Sequence, residues 1–281
     1  MTARKTGRPK SRKPRVAALV TPGHLVERAA GELRRGAPVL VRAAKRNESV
    51  VAVAAETVTD TTLAALVKLC GPPVSILTHA RAATLKVPLY TPDVVGIPHN
   101  ATVTAAELRA LADPSTDLDH PLKGPFIAAR VSPPEAAAAS VRLAKLAGLL
   151  PATAVFKLAD RARKALLTDW SLAEVPAAAI SSFEDGLASH LQLLVRAHVP
   201  LNGAHDSELV AFRPVDGGQE HYAVIIGDKR GNALAPPGPV LARIHSECFT
   251  GDLLGSLKCD CGDQLRGAVK AIAESGGGVL L

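Results

Sequence analysis

Cysteine is scarce: the chain has four in 281 residues, and Cys70 stands far from the other three. So small a number excludes a disulfide-stapled scaffold. Long hydrophobic runs are missing as well, and no segment approaches the roughly 18 uncharged apolar residues of a membrane span. The start, MTARKTGRPKSRKPRVAALV, is basic, but its apolar part (Val16 to Val20) is too short for the core of a secretory signal. These absences lead us to expect a cytoplasmic protein with no membrane partner. Acidic residues are lacking from positions 1 to 26, which hold Arg4, Lys5, Arg8, Lys10, Arg12, Lys13 and Arg15. Those seven account for the whole formal charge of +7, since the other 26 basic residues balance 26 acidic ones. The excess is thus a local tail, expected as a disordered arm over residues 1–20. Nucleic acid is not expected as a partner beyond nonspecific contact by that arm.

What is present suits a globular chain long enough for two domains. The spacing of Leu25, Ala29 and Leu33 predicts a helix over His24 to Arg35, and Pro38 to Val41 reads as a buried strand. A strand over Val50–Ala55 follows, then a helix capped by Thr59 or Asp60 that runs to Leu69. Ser75–Thr78 reads as a strand, Ala105–Ala112 as a helix, Pro133–Ala147 as an Ala-rich helix and Ala152–Leu158 as a strand. Residues 84 to 130 are otherwise Pro-rich and without clear pattern. This alternation predicts one mixed α/β layer domain over 21–160, then a helical or irregular connector over 161–190. A second α/β domain begins near Leu191. Its expected hairpin joins Glu208–Pro214 to His221–Ile226 through Asp216-Gly217-Gly218. Val240–His245 reads as a central strand, a helix starts at Asp263, and Gly276 to Gly278 end it. Val279 to Leu281 look like a buried strand just beginning, which makes an incomplete second domain the expectation.

Cys248, Cys259 and Cys261 have the spacing C-x10-C-x-C within HSECFTGDLLGSLKCDCGDQL. Three thiolates form a soft ligand set that suits zinc. Structural zinc sites close the tetrahedron with four protein ligands, whereas a hydrolytic site keeps one position open for water. The local count is three, which favours the open site. His245 as a fourth ligand would make it structural.

The combination Arg243-Ile244-His245-Ser246-Glu247-Cys248, Thr250-Gly251-Asp252, Gly255-Ser256-Leu257, Cys259-Asp260-Cys261-Gly262 and Gln264 strongly resembles GTP cyclohydrolase II of riboflavin biosynthesis. The resemblance covers residues 191–281. It implies a zinc-dependent, GTP-binding hydrolase, a homodimer that opens the guanine imidazole ring of GTP and releases formate and diphosphate. It implies Cys248, Cys259 and Cys261 as zinc ligands, with Arg243, Ile244, His245, Ser246, Glu247 and Gln264 as GTP contacts and magnesium entering with the nucleotide. The family's E-G-R-G loop, tyrosine, aspartate base and arginine nucleophile have no counterpart up to Leu281, so the catalytic base and nucleophile remain unassigned. Two alternatives stay open. One is a non-catalytic, zinc-stabilised association or regulatory protein; the other is a bifunctional enzyme.

Residues 24 to 160 resemble, more weakly, 3,4-dihydroxy-2-butanone 4-phosphate synthase. The resemblance rests on Leu33 to Gly36, Pro38 to Val41, Ala54 to Thr59, Val87 to Leu89 and Leu143 to Leu149. The synthase's acidic, magnesium-binding loop reads here Arg42-Ala43-Ala44-Lys45-Arg46-Asn47-Glu48-Ser49, and its G-H-T-E-A segment becomes Pro133-Pro134-Glu135-Ala136. A hard divalent cation loses most of its oxygen ligands. The expectation is a degenerate synthase-like domain followed by the first half of a cyclohydrolase II-like domain. Two assays check this: the chain should convert no ribulose 5-phosphate with magnesium, and should release little formate from GTP. Robust turnover in either contradicts the corresponding half of the reading.

Overall fold

The computed structural model describes residues 21–45, 48–118, 124–158, 162, 164–186, 191–215, 219–227 and 239–281. The basic arm, the Asp216-Gly217-Gly218 turn, and Arg46 and Asn47 of the degenerate loop lie outside the described residues. The chain divides into two compact units, one ending at Gly186 and one spanning Leu187–Leu281. No helix among the described residues is long and apolar enough to cross a membrane.

The first unit is built on a six-stranded sheet. Its elements are α1 (Pro22–Arg34), β1 (Val39–Arg42), β2 (Val50–Ala54), α2 (Asp60–Cys70), β3 (Val74–Thr78) and α3 (His79–Thr84), then β4 (Val94–Pro98), α4 (Ala105–Ala112), α5 (Glu135–Leu146), β5 (Ala152–Lys157), β6 (Ala173–Pro176) and α6 (Ala177–Gly186). The strand order is β4-β3-β5-β2-β1-β6, antiparallel throughout except for the parallel β1–β6 pair. Strand residues alternate between the two faces. On one face Leu40, Val51, Val53, Ala154 and Phe156 pack with Leu63 and Leu66 of α2 and Leu108 and Leu111 of α4. On the other, Val39, Val41, Ala52 and Ala54 are buried and α5 crosses β1, β2 and β5. With both faces covered, β2 is buried along its whole length and reads as an unbroken apolar run.

Local polar contacts explain the helix starts. Thr59 caps α2, and Thr104 with Glu107 forms a reciprocal capping box on α4. Asp60, the other candidate cap, accepts instead from the Ala105 backbone N–H at 2.7 Å, which ties α2 to α4. Arg81 clasps the far end of α4. It is largely buried, pairs with Asp117, and donates to the carbonyls of Leu111 at 2.7 Å, Asp113 at 3.0 Å and Ala110 at 3.3 Å.

Residues 161–190, expected as a connector, contribute β6 and α6 to the first unit. The expectation of a helical or irregular connector allowed for the helix but missed the strand, because β6 is only four residues long and ends in Pro176. Its place at the sheet edge, parallel to β1, is where a proline is tolerated. Strand β4, with Gly96 and Pro98, was illegible for the same reason and forms the opposite edge.

The second unit holds β7 (Leu191–His198), β8 (Ser207–Pro214), β9 (His221–Ile226), β10 (Leu241–Arg243), α7 (Cys261–Glu274) and β11 (Gly278–Leu280). Its sheet runs β10-β11-β9-β8-β7. β10 and β11 are parallel and joined through α7, as a crossover between parallel strands requires. The core is small: Ile226, Val269, Ile272 and Leu280, with Val224 and Leu265 packed against it. β10 was expected to be central, but it is an edge strand with exposed side chains. Its apolar composition misled because Leu241 is 48 % exposed.

Replacing Arg81 with Ala removes this donor from the Asp117 carboxylate and from the carbonyls of Ala110, Leu111 and Asp113. The expected cost is about 2–4 kcal/mol, reduced from a fully buried pair because Asp117 is partly exposed. Denaturant unfolding followed by circular dichroism checks it, and a midpoint equal to wild type contradicts it.

Candidate metal centre

The three cysteines lie in the loop that leaves β10 and in the first turn of α7. Their sulfurs all fall within 4.8 Å of one another, and Cys248 and Cys259 are 3.9 Å apart. Tetrahedral zinc with Zn–S of about 2.3 Å places its sulfurs about 3.8 Å apart, so the spacing fits such an ion. His245 is not a member of this cluster.

Gly251 makes the approach possible. A Cβ there would sit 2.8 Å from the Cys259 sulfur and 2.8 Å from the Cys261 Cβ, closer than real contacts come. It lies in one wide helical turn, Phe249–Leu253, that folds the loop back beneath the sulfurs. Asp252 closes the turn: its backbone N–H donates to the Cys248 carbonyl at 2.7 Å, and its Oδ2 accepts from the Cys248 N–H at 2.8 Å. The same Oδ2 lies 2.9 Å from His245 Nε2.

Electrostatics also favour anionic sulfur. Cys261 opens the 14-residue helix α7, whose N-terminal end attracts negative charge. The Cys248 thiol is drawn down to about 7 by the Thr250 hydroxyl, then by the Gly251 backbone N–H and by Cys261. Cys261 is pushed up to about 12, because its proton is shared first with Cys248 and then with Cys259. The Cys248 thiolate thus forms readily and Cys261 resists becoming a second. A cation would remove that resistance, so metal binding releases protons.

Arg243 donates to Gln264 Oε1 at 3.1 Å, and Gln264 Nε2 donates to Asp260 Oδ2 at 2.8 Å. Arg243 and Gln264 face a common pocket floored by Gly267, Ala268 and Ala271 of α7. His245 is held at the backbone, where its N–H donates to the Leu281 carbonyl at 2.8 Å. Ile244, Ser246 and Glu247 are exposed on the same segment. The structure therefore gathers the three cysteines into one cluster and joins Arg243 to Gln264, while Ile244, Ser246 and Glu247 stand open to solvent.

A family model described as GTP cyclohydrolase II matches residues 192–281. A GTP cyclohydrolase-2 of Azospirillum brasilense is 41 % identical over 261 residues, covering 91 % of this chain and 66 % of the relative. A riboflavin biosynthesis protein RibBA of Phocaeicola vulgatus is 30 % identical over 301 residues, covering 91 % of this chain and 70 % of the relative. The chain belongs to the GTP cyclohydrolase II and RibBA family. It spans only about two thirds of those relatives' length, and 60 % of a Xylella fastidiosa GTP cyclohydrolase-2. Among solved structures, RibBX of A. baumannii, a two-domain 3,4-dihydroxy-2-butanone 4-phosphate synthase, aligns over 91 % of this chain and 81 % of its own, at 16 % identity and a TM-score of 0.45.

Two residues of this family member stood inside the quoted motif without a role. Gly251 and Asp252 occupy the Thr-Gly-Asp stretch, and their signal was a glycine beside an acid eight residues before the second cysteine. In metal-free protein, alkylation of Cys248 by iodoacetamide should rise as pH increases through about 7, because only the thiolate reacts. Thr250→Val removes the largest cause and should move the midpoint upward. Mass spectrometry of the modified peptide reads both. A wild-type midpoint at the ordinary thiol value would count against the cluster.

Proposed function

We propose that the second unit carries the metal half of a GTP cyclohydrolase II site, for zinc-dependent hydrolytic opening of the guanine imidazole ring of GTP with release of formate and diphosphate. The supporting observation is the convergence of three cysteine sulfurs at tetrahedral spacing while His245 is engaged by Asp252. Among the described residues the cluster therefore offers three protein donors, and the proposal assigns the fourth position to water.

Cys248, Cys259 and Cys261 are the donors, and zinc is the redox-inert ion that thiolates hold well. When bound, zinc supplies the Lewis acidity that makes water nucleophilic near neutral pH. The remaining work falls to the chain's own groups. Arg243 offers a guanidinium fork to the triphosphate, whose charge magnesium shares. Gln264, with a donor and an acceptor, meets a polar edge of the nucleotide. Their mutual hydrogen bond holds both side chains at one spot, so an entering nucleotide meets them together. Ile244, His245, Ser246 and Glu247 extend the contact along the segment after β10.

The first unit fits a degenerate synthase relative with a structural role. Its surviving loop carboxylate, Glu48, is paired with Lys45 at 3.2 Å, and Arg42 lies 3.6 Å from Glu174. Each acid is neutralised by a cation of this chain, which leaves little for magnesium. We extend the reading to a cytoplasmic homodimer, supported by the exposed Leu193, Leu194 and Val195 on β7.

Zinc analysis with X-ray absorption tests the proposal. The expected result is one zinc per chain with three sulfurs and one exchangeable light atom, lost in Cys259→Ser. Arg243→Ala should weaken GTP binding about tenfold, as loss of a charge-assisted contact does. Four protein donors around the ion would indicate a structural zinc instead.

A further inference from the structure

Asp252 is tied to both halves of the proposed site. Cys248, a candidate metal ligand, and His245, on the candidate nucleotide segment, converge on a single oxygen, Oδ2, at 2.8 and 2.9 Å. The His245 and Asp252 side chains are only 12 % and 15 % exposed, so water competes weakly for this contact. Aspartate is ordinarily ionised near neutral pH, and the Cys248 backbone N–H, which can only donate, already points at Oδ2. An ionised carboxylate can only accept. Both groups facing Oδ2 must therefore be donors, which requires a hydrogen on His245 Nε2. The other ring nitrogen, Nδ1, is then the one left for a ligand. Oδ1 of Asp252 is buried and has no hydrogen-bond partner among the described residues, so the carboxylate acts through one oxygen.

We propose that Asp252 is the positioning residue of this site: it fixes the tautomer and ring orientation of His245 and couples the nucleotide-contact segment to the first metal ligand. The tautomer follows from the geometry alone, while the consequence for nucleotide binding rests on the cyclohydrolase reading. A residue that merely closed the cysteine turn would be needed for the loop but would leave the imidazole indifferent to its charge. Asp252→Asn separates the two roles. The amide can keep an oxygen toward the two donors, but it lacks the charge that favours hydrogen on Nε2, and its NH2 group then occupies the buried position without an acceptor.

The test uses the full chain with 15N-labelled histidine and one equivalent of zinc at pH 8. Long-range proton–nitrogen correlation reads the His245 tautomer, assigned by the signal lost in His245→Gln. The expected wild-type pattern has the proton on Nε2. In Asp252→Asn, zinc should stay at one per chain, the His245 signal should leave that pattern, and the dissociation constant for GTP should rise about tenfold, within the range for outer partners of metal sites. A wild-type proton on Nδ1 overturns the proposal without recourse to any variant. So does an Asp252→Asn protein that loses zinc while its imidazole pattern is unchanged, since Asp252 would then only prop the loop. If the wild-type chain binds no GTP, the nucleotide reading falls, while the tautomer measurement still judges Asp252.

Discussion

The second unit depends on bringing three ionisable sulfurs within 4.8 Å of one another. The Thr250 hydroxyl and then the Gly251 N–H draw Cys248 toward ionisation, while proton-sharing with Cys248 and then Cys259 holds Cys261 far from it. The backbone enforces the proximity. A residue without a side chain sits where the sulfurs converge, and the carboxylate of Asp252 locks the turn from below. Such an arrangement has little value as a hydrophobic core. The unit's apolar core is small, and much of the polar organisation around β10 and α7 is directed at the sulfur cluster.

The first unit shows the opposite balance. Its sheet is buried on both faces and its helices start at well-formed caps, so the fold is over-determined by packing. After β1, Lys45 pairs with Glu48, and Arg42 at the end of β1 lies near Glu174 of β6. The long curated relatives align with both units, which agrees with the two having been carried together.

Elements with strong local signals were legible in the sequence. Ala105–Ala112 carried a capping box and a helical apolar stripe, and the strand over His221–Ile226 carried apolar content with turn residues ahead of it. The cysteines were legible because metal chemistry needs few residue types at tight spacing. Three things were not legible. Edge strands β4 and β6 are short and contain proline, so length does not mark them. β10 looked central because apolar residues report hydrophobicity, whereas strand order depends on partners distant in sequence. Asp252 was quoted within a motif, yet its meaning lay in a contact with His245 seven residues earlier, across a segment that is neither a regular α-helix nor a strand.

The two rim strands of the first sheet have a bearing on solubility. β4 and β6 are five and four residues long, and each finishes at a proline. A rim of this kind offers an incoming strand only a brief and interrupted row of hydrogen-bond donors. Fibril-like growth by edge-to-edge stacking is thereby discouraged on both sides of the larger sheet, even though its interior strands, rich in Val and Ala, are the type that stack readily once exposed.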